Sequence, residues 1–498
     1  MTKDKTDAKA LRVAKTLKNA DNWKHLARWH GDGYYELQTE DIGAVSVRLF
    51  FTPSLLQEAE DILYRQIVNA TRFPGTRLVV ITPDAHYGYG VPVGCVLITD
   101  KADGAVAMGP VGYDVGCGMM SARAEVEAEA ATPEKRLAFN RAVMERVAFG
   151  AGGKSHRFGQ LSEQEFQNLV RGGAEYYVEK YGASFDRSRA ERHRIPVDDG
   201  WQIPWGGKGK PERGLEQLGS LGSGNHFIEL QRSEQTGTLF LQVHTGSRGF
   251  GHGLATNYFE LARSERPEQI TDIDLGYFTP ESKHYRDYLN AVAAGGNYAI
   301  LNRLIIFEQV AEAFRETFGA ELELIYEISH NLVQHEQHPE FGDVWVHRKG
   351  ATRAFPAGHP ALQGTFWADV GHPVLIPGSN KDWSYILRPL AGAVRSGYSV
   401  NHGAGRRLSR GEAMRTLSQR AMDDEYRAAG IVVNTNGRVP LDEAAPCYKP
   451  AEEVVRAVVE AGLAEIEHRL WPLASLKGAD ERKGRGRGKG RKQTSKHY

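Results

Sequence analysis

Six residues of this chain have side chains suited to binding metal or attacking phosphorus, and each lies in a short block beside glycines or other small residues. Asp114 and Cys117 are three apart in V-G-Y-D-V-G-C-G-M (111–119). His226 sits in G-S-G-N-H-F (222–227), His244 in V-H-T-G-S-R-G-F-G-H (243–252), His330 in I-S-H-N (328–331) and His402 in H-G-A-G-R (402–406). Glycines allow close backbone approach, so the Asp and the Cys could face one ion. Thiolate and imidazole ligands select a transition metal over magnesium. A lone histidine is more often structural. Three that follow or end apolar segments, together with an Asp-x-x-Cys pair, favour ligation. No C-x-x-C pair exists, which argues against a structural zinc site.

His402 is the histidine left over. The residues after it read as the start of a helix, where N–H groups and the dipole favour phosphate. A neutral imidazole there could attack the α-phosphate of a nucleotide. The plain alternative is a helix-entry histidine with a structural hydrogen bond. Asn225 could donate to a phosphate oxygen, Glu229 could accept from a base or ribose, and Arg248 could fork onto a phosphate. H-R-K-G-A-T-R-A-F (347–355) concentrates His347, Arg348, Lys349 and Arg353, which suits phosphate or an RNA backbone; a solvated basic loop is the alternative. A-F-G-A-G-G-K-S (148–155) fits a relaxed phosphate-loop pattern, but an amphipathic helix precedes it where a P-loop needs a buried strand.

The elements that must position these residues alternate along the chain. V-S-V-R-L-F-F (45–51) reads as a strand, with Ser54 as the cap of the helix after it. Residues 77–82 read as a buried strand running into P-D-A-H-Y-G-Y-G (83–90). Strands emptying into glycine-rich loops recur at 240–248 and 372–378. Amphipathic helices fit 132–148, 162–180, 287–318, 410–429 and 451–469. Residues 186–213 read as a long surface loop. The pattern predicts one large mixed α+β domain over 45–478, preceded by an extension (1–44, helical over Ala8–Ala20). A disordered basic tail (479–498) would attract phosphates without sequence preference.

Composition sets wider bounds. The 498 residues are 41% hydrophobic and 25% charged, with zero formal net charge, so overall charge says nothing about a nucleic-acid partner. Three cysteines suggest no disulfide framework and fit a reducing cytoplasm. No signal peptide or membrane span is expected. The oligomeric state stays open, a monomer included.

In this order the blocks resemble the RtcB family of RNA ligases, over about residues 45–478. The resemblance implies that Asp114, Cys117, His226, His244 and His330 bind two manganese ions, with Cys117 able to bridge them. It implies that His402 takes GMP from GTP. Nucleotide contacts would come from Asn225, Glu229, His330, Asn331, from Pro377, Gly378 and Ser379 in P-V-L-I-P-G-S, from Ser384, and from His402, Gly403, Ala404, Gly405 and Arg406. Tyr448 would stack on guanine and Lys477 would contact it. Arg248, Lys349 and Arg353 would hold RNA carrying 3′-phosphate or 2′,3′-cyclic phosphate and 5′-hydroxyl ends, as in tRNA splicing or RNA repair. The chain departs from the family at Asn380-Lys381-Asp382-Trp383, where Met-Gly-Thr-Ala is common, and at Asn401. The altered loop keeps alive an alternative: a cyclic phosphodiesterase or 3′-end guanylyltransferase that does not join ends. A non-enzymatic RNA-binding protein is a third reading, opposed by the intact set of six.

Overall fold

Two large sheets packed face to face form the centre of a computed structural model that describes residues 17–183, 185–189 and 194–478. The strand Thr76–His86 shows why they stack. Its side chains alternate, so Leu78 and Val80 enter the core between the sheets while Val79 and Ile81 pack on the opposite side. Both faces are covered, which accounts for its near-continuous apolar run.

The seven-stranded sheet runs, in spatial order, through Ala27–His30, Tyr34–Leu37, Ser46–Leu49, Thr76–His86, Val93–Asp100, Gly342–Lys349 and Asn331–His338. Two of these strands precede residue 45, so the stretch expected as an extension contributes to this sheet. The helix expected over Ala8–Ala20 lies mostly, and the basic tail wholly, outside the described residues. The second sheet orders Glu323–Ser329, Gly118–Glu127, Thr238–Thr245, Phe227–Ser233, Ala464–Lys477, Ser384–Pro389 and Val374–Ile376.

Helices cover the second sheet. Tyr285–Phe318, 34 residues long, is buried along most of its length. Pro133–Arg146 and Glu163–Tyr181 pack beside it, their first turns capped by the Thr132 and Ser162 side chains. Together they form the α+β architecture expected from the sequence.

Several local expectations need correction. The helix after the 45–51 strand is capped by Thr52, whose side chain accepts from Leu55 N–H, and not by Ser54. The helix expected over 410–429 is two, Arg410–Thr416 and Gln419–Ala428, because Ser418 caps a second start after the extended Leu417. The helix expected over 451–469 stops at Glu460, and Ala464–Lys477 pairs with strands on both sides. Tertiary pairing there outweighs helix propensity. The stretch 186–213 is not all surface, since Val197, Trp201 and Ile203 enter the core. Among the described residues, no helix is long and apolar enough to cross a membrane.

Candidate metal centre and nucleotide cleft

Strand register assembles the ligands. Gly118–Glu127 pairs with both Thr238–Thr245 and Glu323–Ser329, so Gly118 lies opposite Thr245 on one side and Ser329 on the other. Phe227 lies opposite His244 in the next strand. Cys117, His226, His244 and His330 therefore sit at the same end of four adjacent strands. Lys477 lies opposite Phe227 and joins the row from a fifth. Gly118 permits the close approach, because a Cβ there would lie 2.2 Å from the Ile328 carbonyl oxygen.

The donor atoms converge in two triplets. Cys117, His244 and His330 form one; Asp114, Cys117 and His226 form the other; within each, the ligating atoms lie within 4.8 Å of one another. Cys117 belongs to both. Its Sγ is 3.2 Å from His244 Nε2 and 3.6 Å from His226 Nε2. His244 Nε2 is 3.3 Å from His330 Nε2, and Asp114 Oδ2 is 3.2 Å from His226 Nε2. Nδ1 of His226 donates to the Leu221 carbonyl (2.9 Å) and Nδ1 of His244 to that of Asn225 (3.0 Å). Those bonds place a proton on each Nδ1 and turn the Nε2 atoms toward the donor cluster.

Electrostatics agree with this chemistry. Burial pushes the His244 and His330 imidazoles well below their usual range, so both are neutral. Burial raises the Asp114 carboxyl, but His226, Arg248 and the Ser247 N–H more than offset it and hold Asp114 ionised. Burial and the neighbouring Asp114 push the Cys117 thiol up, a preference that a coordinated cation reverses. The donor set is of the kind that can hold transition-metal ions, and Cys117 is common to both triplets.

One buried arginine braces three ligand-bearing segments. Arg303, on the long helix, donates to the carbonyls of Gly116 (2.7 Å) and Thr245 (3.0 Å) and to Ser329 Oγ (2.7 Å), each next to a ligand. Glu327 balances its charge in a fully buried pair.

His402 stands beside this centre, its ring centroid 4.8 Å from that of His330. The expected helix start is absent: His402 follows the strand Ser399–Asn401, and the next helix begins at Arg410. A buried carboxylate organises the turn instead. Asp84 Oδ2 accepts from His402 Nδ1 (2.7 Å), His402 N–H (3.1 Å) and Gly403 N–H (3.2 Å). Nδ1 therefore carries the proton, and Nε2 keeps a lone pair. Gly350 makes room for the ring, since a Cβ there would lie 2.9 Å from His402 Cε1.

A cleft of about 970 Å³ joins these groups. Along it lie Asp114, Cys117, His244, His330, Asn225, Asn331, Pro377, Gly378, Ser379, the turn His402–Arg406, Tyr448 and Lys477. Asn331 is used at both ends, donating to the Asp114 carbonyl and accepting from Gly350 N–H. Ser384 stands behind the loop, its Oγ accepting from Gly378 N–H. Glu229 is buried behind Lys477 and does not line the cleft.

The basic block 347–355 is not a solvated loop. His347 bonds the backbone of Leu97 and Ala107, Arg348 pairs with Glu336, and Arg353 packs its guanidinium 4.6 Å from the Phe355 ring. These three lie inside the protein, so Arg353 is not positioned to hold substrate. Lys349 lines the cleft, but its Nζ donates to the carbonyls of Tyr89 (2.7 Å) and Val91 (3.0 Å). Arg248 turns away from the cleft to the Gly150 and Ala151 carbonyls and Ser220 Oγ, with a left-handed φ of 52°. The stretch 148–155 thus serves as its acceptor, and no helix follows before Glu163.

Two organising acids escaped the sequence reading. Asp84 falls in the stretch 83–90 that reads as a glycine-rich loop after a strand, the same signal that marked the candidate metal ligands, although the strand Thr76–His86 includes it. Glu443 had no signal. Buried at 2% exposure, it accepts from Arg406 (3.2 Å), Arg410 (3.1 Å) and the Tyr448 hydroxyl, with Lys477 at 3.9 Å. Burial raises its carboxyl, but these cations outweigh that and keep it ionised. The altered loop is held firmly: Tyr426 bonds Asn380, Lys381 pairs with Glu425, and Asp382 accepts from Ala451 N–H.

A thiol common to two donor triplets stands beside a carboxylate-held histidine at one end of a mixed α+β sandwich. The family model described as tRNA-splicing ligase RtcB matches residues 66–478. The tRNA-splicing ligase RtcB of Pyrobaculum aerophilum is 35% identical over 468 residues, covering 87% of this chain and 95% of that protein. The RNA-splicing ligase RtcB of Mycobacterium bovis is 36% identical over 442 residues, covering 83% of this chain and 100% of that protein. The chain belongs to the RtcB family of ligases.

Proposed function

We propose that the protein is a GTP- and manganese-dependent RNA ligase joining 3′-phosphate or 2′,3′-cyclic phosphate ends to 5′-hydroxyl ends. The observation that carries this reading is the position of the Asp84-held His402 beside a centre whose two donor triplets share Cys117. The names of the relatives support an RNA substrate, with tRNA splicing and RNA repair as settings that present such ends. A cytoplasmic location belongs to the same reading.

Nε2 of His402 attacks the α-phosphorus of GTP. The bond to pyrophosphate breaks, and GMP stays on the imidazole. Asp84 keeps the ring oriented and stabilises the positive charge that develops on it. Water opens any cyclic phosphate to a 3′-phosphate. That 3′-phosphate then takes GMP from His402, and the RNA 5′-hydroxyl attacks the activated phosphate and expels GMP. Manganese, held by Asp114, Cys117, His226, His244 and His330, would neutralise phosphate charge and polarise its oxygens. Arg406 and Lys477, fixed by Glu443, face the nucleotide, with Tyr448 as the stacking surface for guanine.

Incubation with α-labelled GTP and manganese, followed by a denaturing gel, tests the reading. An acid-labile labelled band in the parent, lost in His402→Ala, is expected. No band with GTP in manganese-loaded protein would sink the mechanism. Guanylylated RNA ends that never join would favour the non-joining transferase.

A further inference from the structure

Part of the cleft lining is left unused by the chemistry above: Tyr87, Tyr89, Tyr113, His252 and Phe259. Tyr113 stacks on Phe259 at 4.7 Å and on His252 at 5.3 Å, and Tyr89 meets Tyr113 edge-on at 6.1 Å. Tyr87 and Tyr89 are 49% and 48% exposed.

Their backbone is tied down at nearly every residue. Tyr87 N–H donates to Glu60, and Gly88 exchanges two bonds with the Gln66 amide. The Tyr89 carbonyl accepts from Lys349 (2.7 Å), and the Gly90 carbonyl accepts from Asn69 (2.8 Å). A buried lysine and two buried or half-buried amides thus hold a loop whose two rings stay in the open. Rigid, exposed, sequence-tolerant π-faces are what proteins use to seat unpaired nucleobases. Tyr87 is three residues beyond Asp84, so at most about 11 Å of chain separates it from the residue holding His402.

We infer that Tyr87 and Tyr89 form a stacking seat for the unpaired base at the RNA end that bears the 3′-phosphate. The inference rests on the ligase reading for its ligand. It explains why Lys349 is spent on backbone carbonyls, since it stiffens the seat and leaves phosphate to other groups. Stacking reads no base edge, so the seat imposes little sequence preference.

Two short single-stranded RNAs test it with full-length protein and manganese, GTP omitted. One carries 2-aminopurine at the 3′-phosphate end, the other at the 5′-hydroxyl end. Quenching of the 3′ probe on binding is expected. Tyr87→Ala and Tyr89→Ala should each weaken binding roughly tenfold and reduce the quench. Tyr87→Phe and Tyr89→Phe should retain both, which separates stacking from a hydroxyl contact or misfolding. Unchanged affinity and quench in the double alanine variant, or quenching of the 5′ probe alone, would overturn the seat. Labelling of the parent by GTP is scored separately. A parent that labels but quenches neither probe loses the seat and keeps the ligase reading; one that quenches the 3′ probe but never labels does the reverse.

Discussion

One oxygen of Asp84 holds His402 at three points: the ring Nδ1 and the N–H groups of His402 and Gly403. The carboxylate is fully buried, and although burial raises it, His402 and Thr82 keep it ionised. A single acceptor therefore sets the rotamer, the tautomer and the backbone of the turn together.

Asp84→Asn keeps the shape and changes the proton. An amide can donate to Nδ1, which moves the imidazole proton to Nε2 and removes the lone pair aimed at the cleft. GMP transfer to His402 should fall on the order of a thousandfold or more, with manganese content unchanged. Single-turnover labelling with α-labelled GTP reads the rate. A loss under tenfold would reduce Asp84 to a packing residue.

The shared Cys117 separates two kinds of metal loss. In the proposed two-ion site, Asp114→Ala should lower bound manganese to about one ion per chain, and His330→Ala should do the same from the other triplet. Cys117→Ala should weaken both ions, by more than the ten- to hundredfold that outer-shell changes cost. Elemental analysis after dialysis gives the stoichiometry without any turnover. Equal loss in all three variants would mean one site, not two.

Arg303 tests how far the scaffold governs the centre. Arg303→Met leaves Glu327 buried without its guanidinium and frees the Gly116 and Thr245 carbonyls. The expected cost is about 3–5 kcal/mol in denaturant unfolding. Arg303→Lys should rescue little of it, because an ammonium cannot fork to several acceptors in one plane. Both variants should also bind less manganese, since the segments carrying Cys117, His244 and His330 lose a common brace. Unfolding curves that match the parent would disprove the role.

How much of this was legible depends on the range of each interaction. The clustering of Asp114, Cys117, His226, His244 and His330 was readable because residue types able to bind metal announce themselves, and glycine blocks such as 111–119 announce a close approach. The row at one sheet end was not, since the pairing of Gly118 with both Thr245 and Ser329 joins strands more than a hundred residues apart. Glu443 was hidden at shorter range, because its partners Arg406, Arg410, Tyr448 and Lys477 come from three separate stretches that only the fold brings together. The stretch 347–355 was misread for another reason: Lys349 and Arg353 look alike in sequence, yet one faces the cleft and the other packs on Phe355. At His402 the error was local. A glycine turn before a helical pattern looks like a helix start, but Asp84, 318 residues earlier, supplies the acceptor that shapes it.

Glu229 gives the pH prediction. Burial raises its carboxyl from 4.5 to about 7, against the opposing pull of Gln231, Lys477 and Ser475. The folded protein thus keeps a proton that the unfolded chain releases above pH 4.5. Glu229 contributes full stability below pH 4.5 and loses it as the pH rises to about 7, a change on the order of 3 kcal/mol. Glu229→Gln carries no ionisable proton and should lack this component. Urea unfolding from pH 4.5 to 8 should therefore show the variant gaining on the parent as pH rises, with the gain levelling off above pH 7. Parallel curves across that window would mean that Lys477 holds Glu229 ionised, and the two would then form a buried ion pair at the end of the strand row.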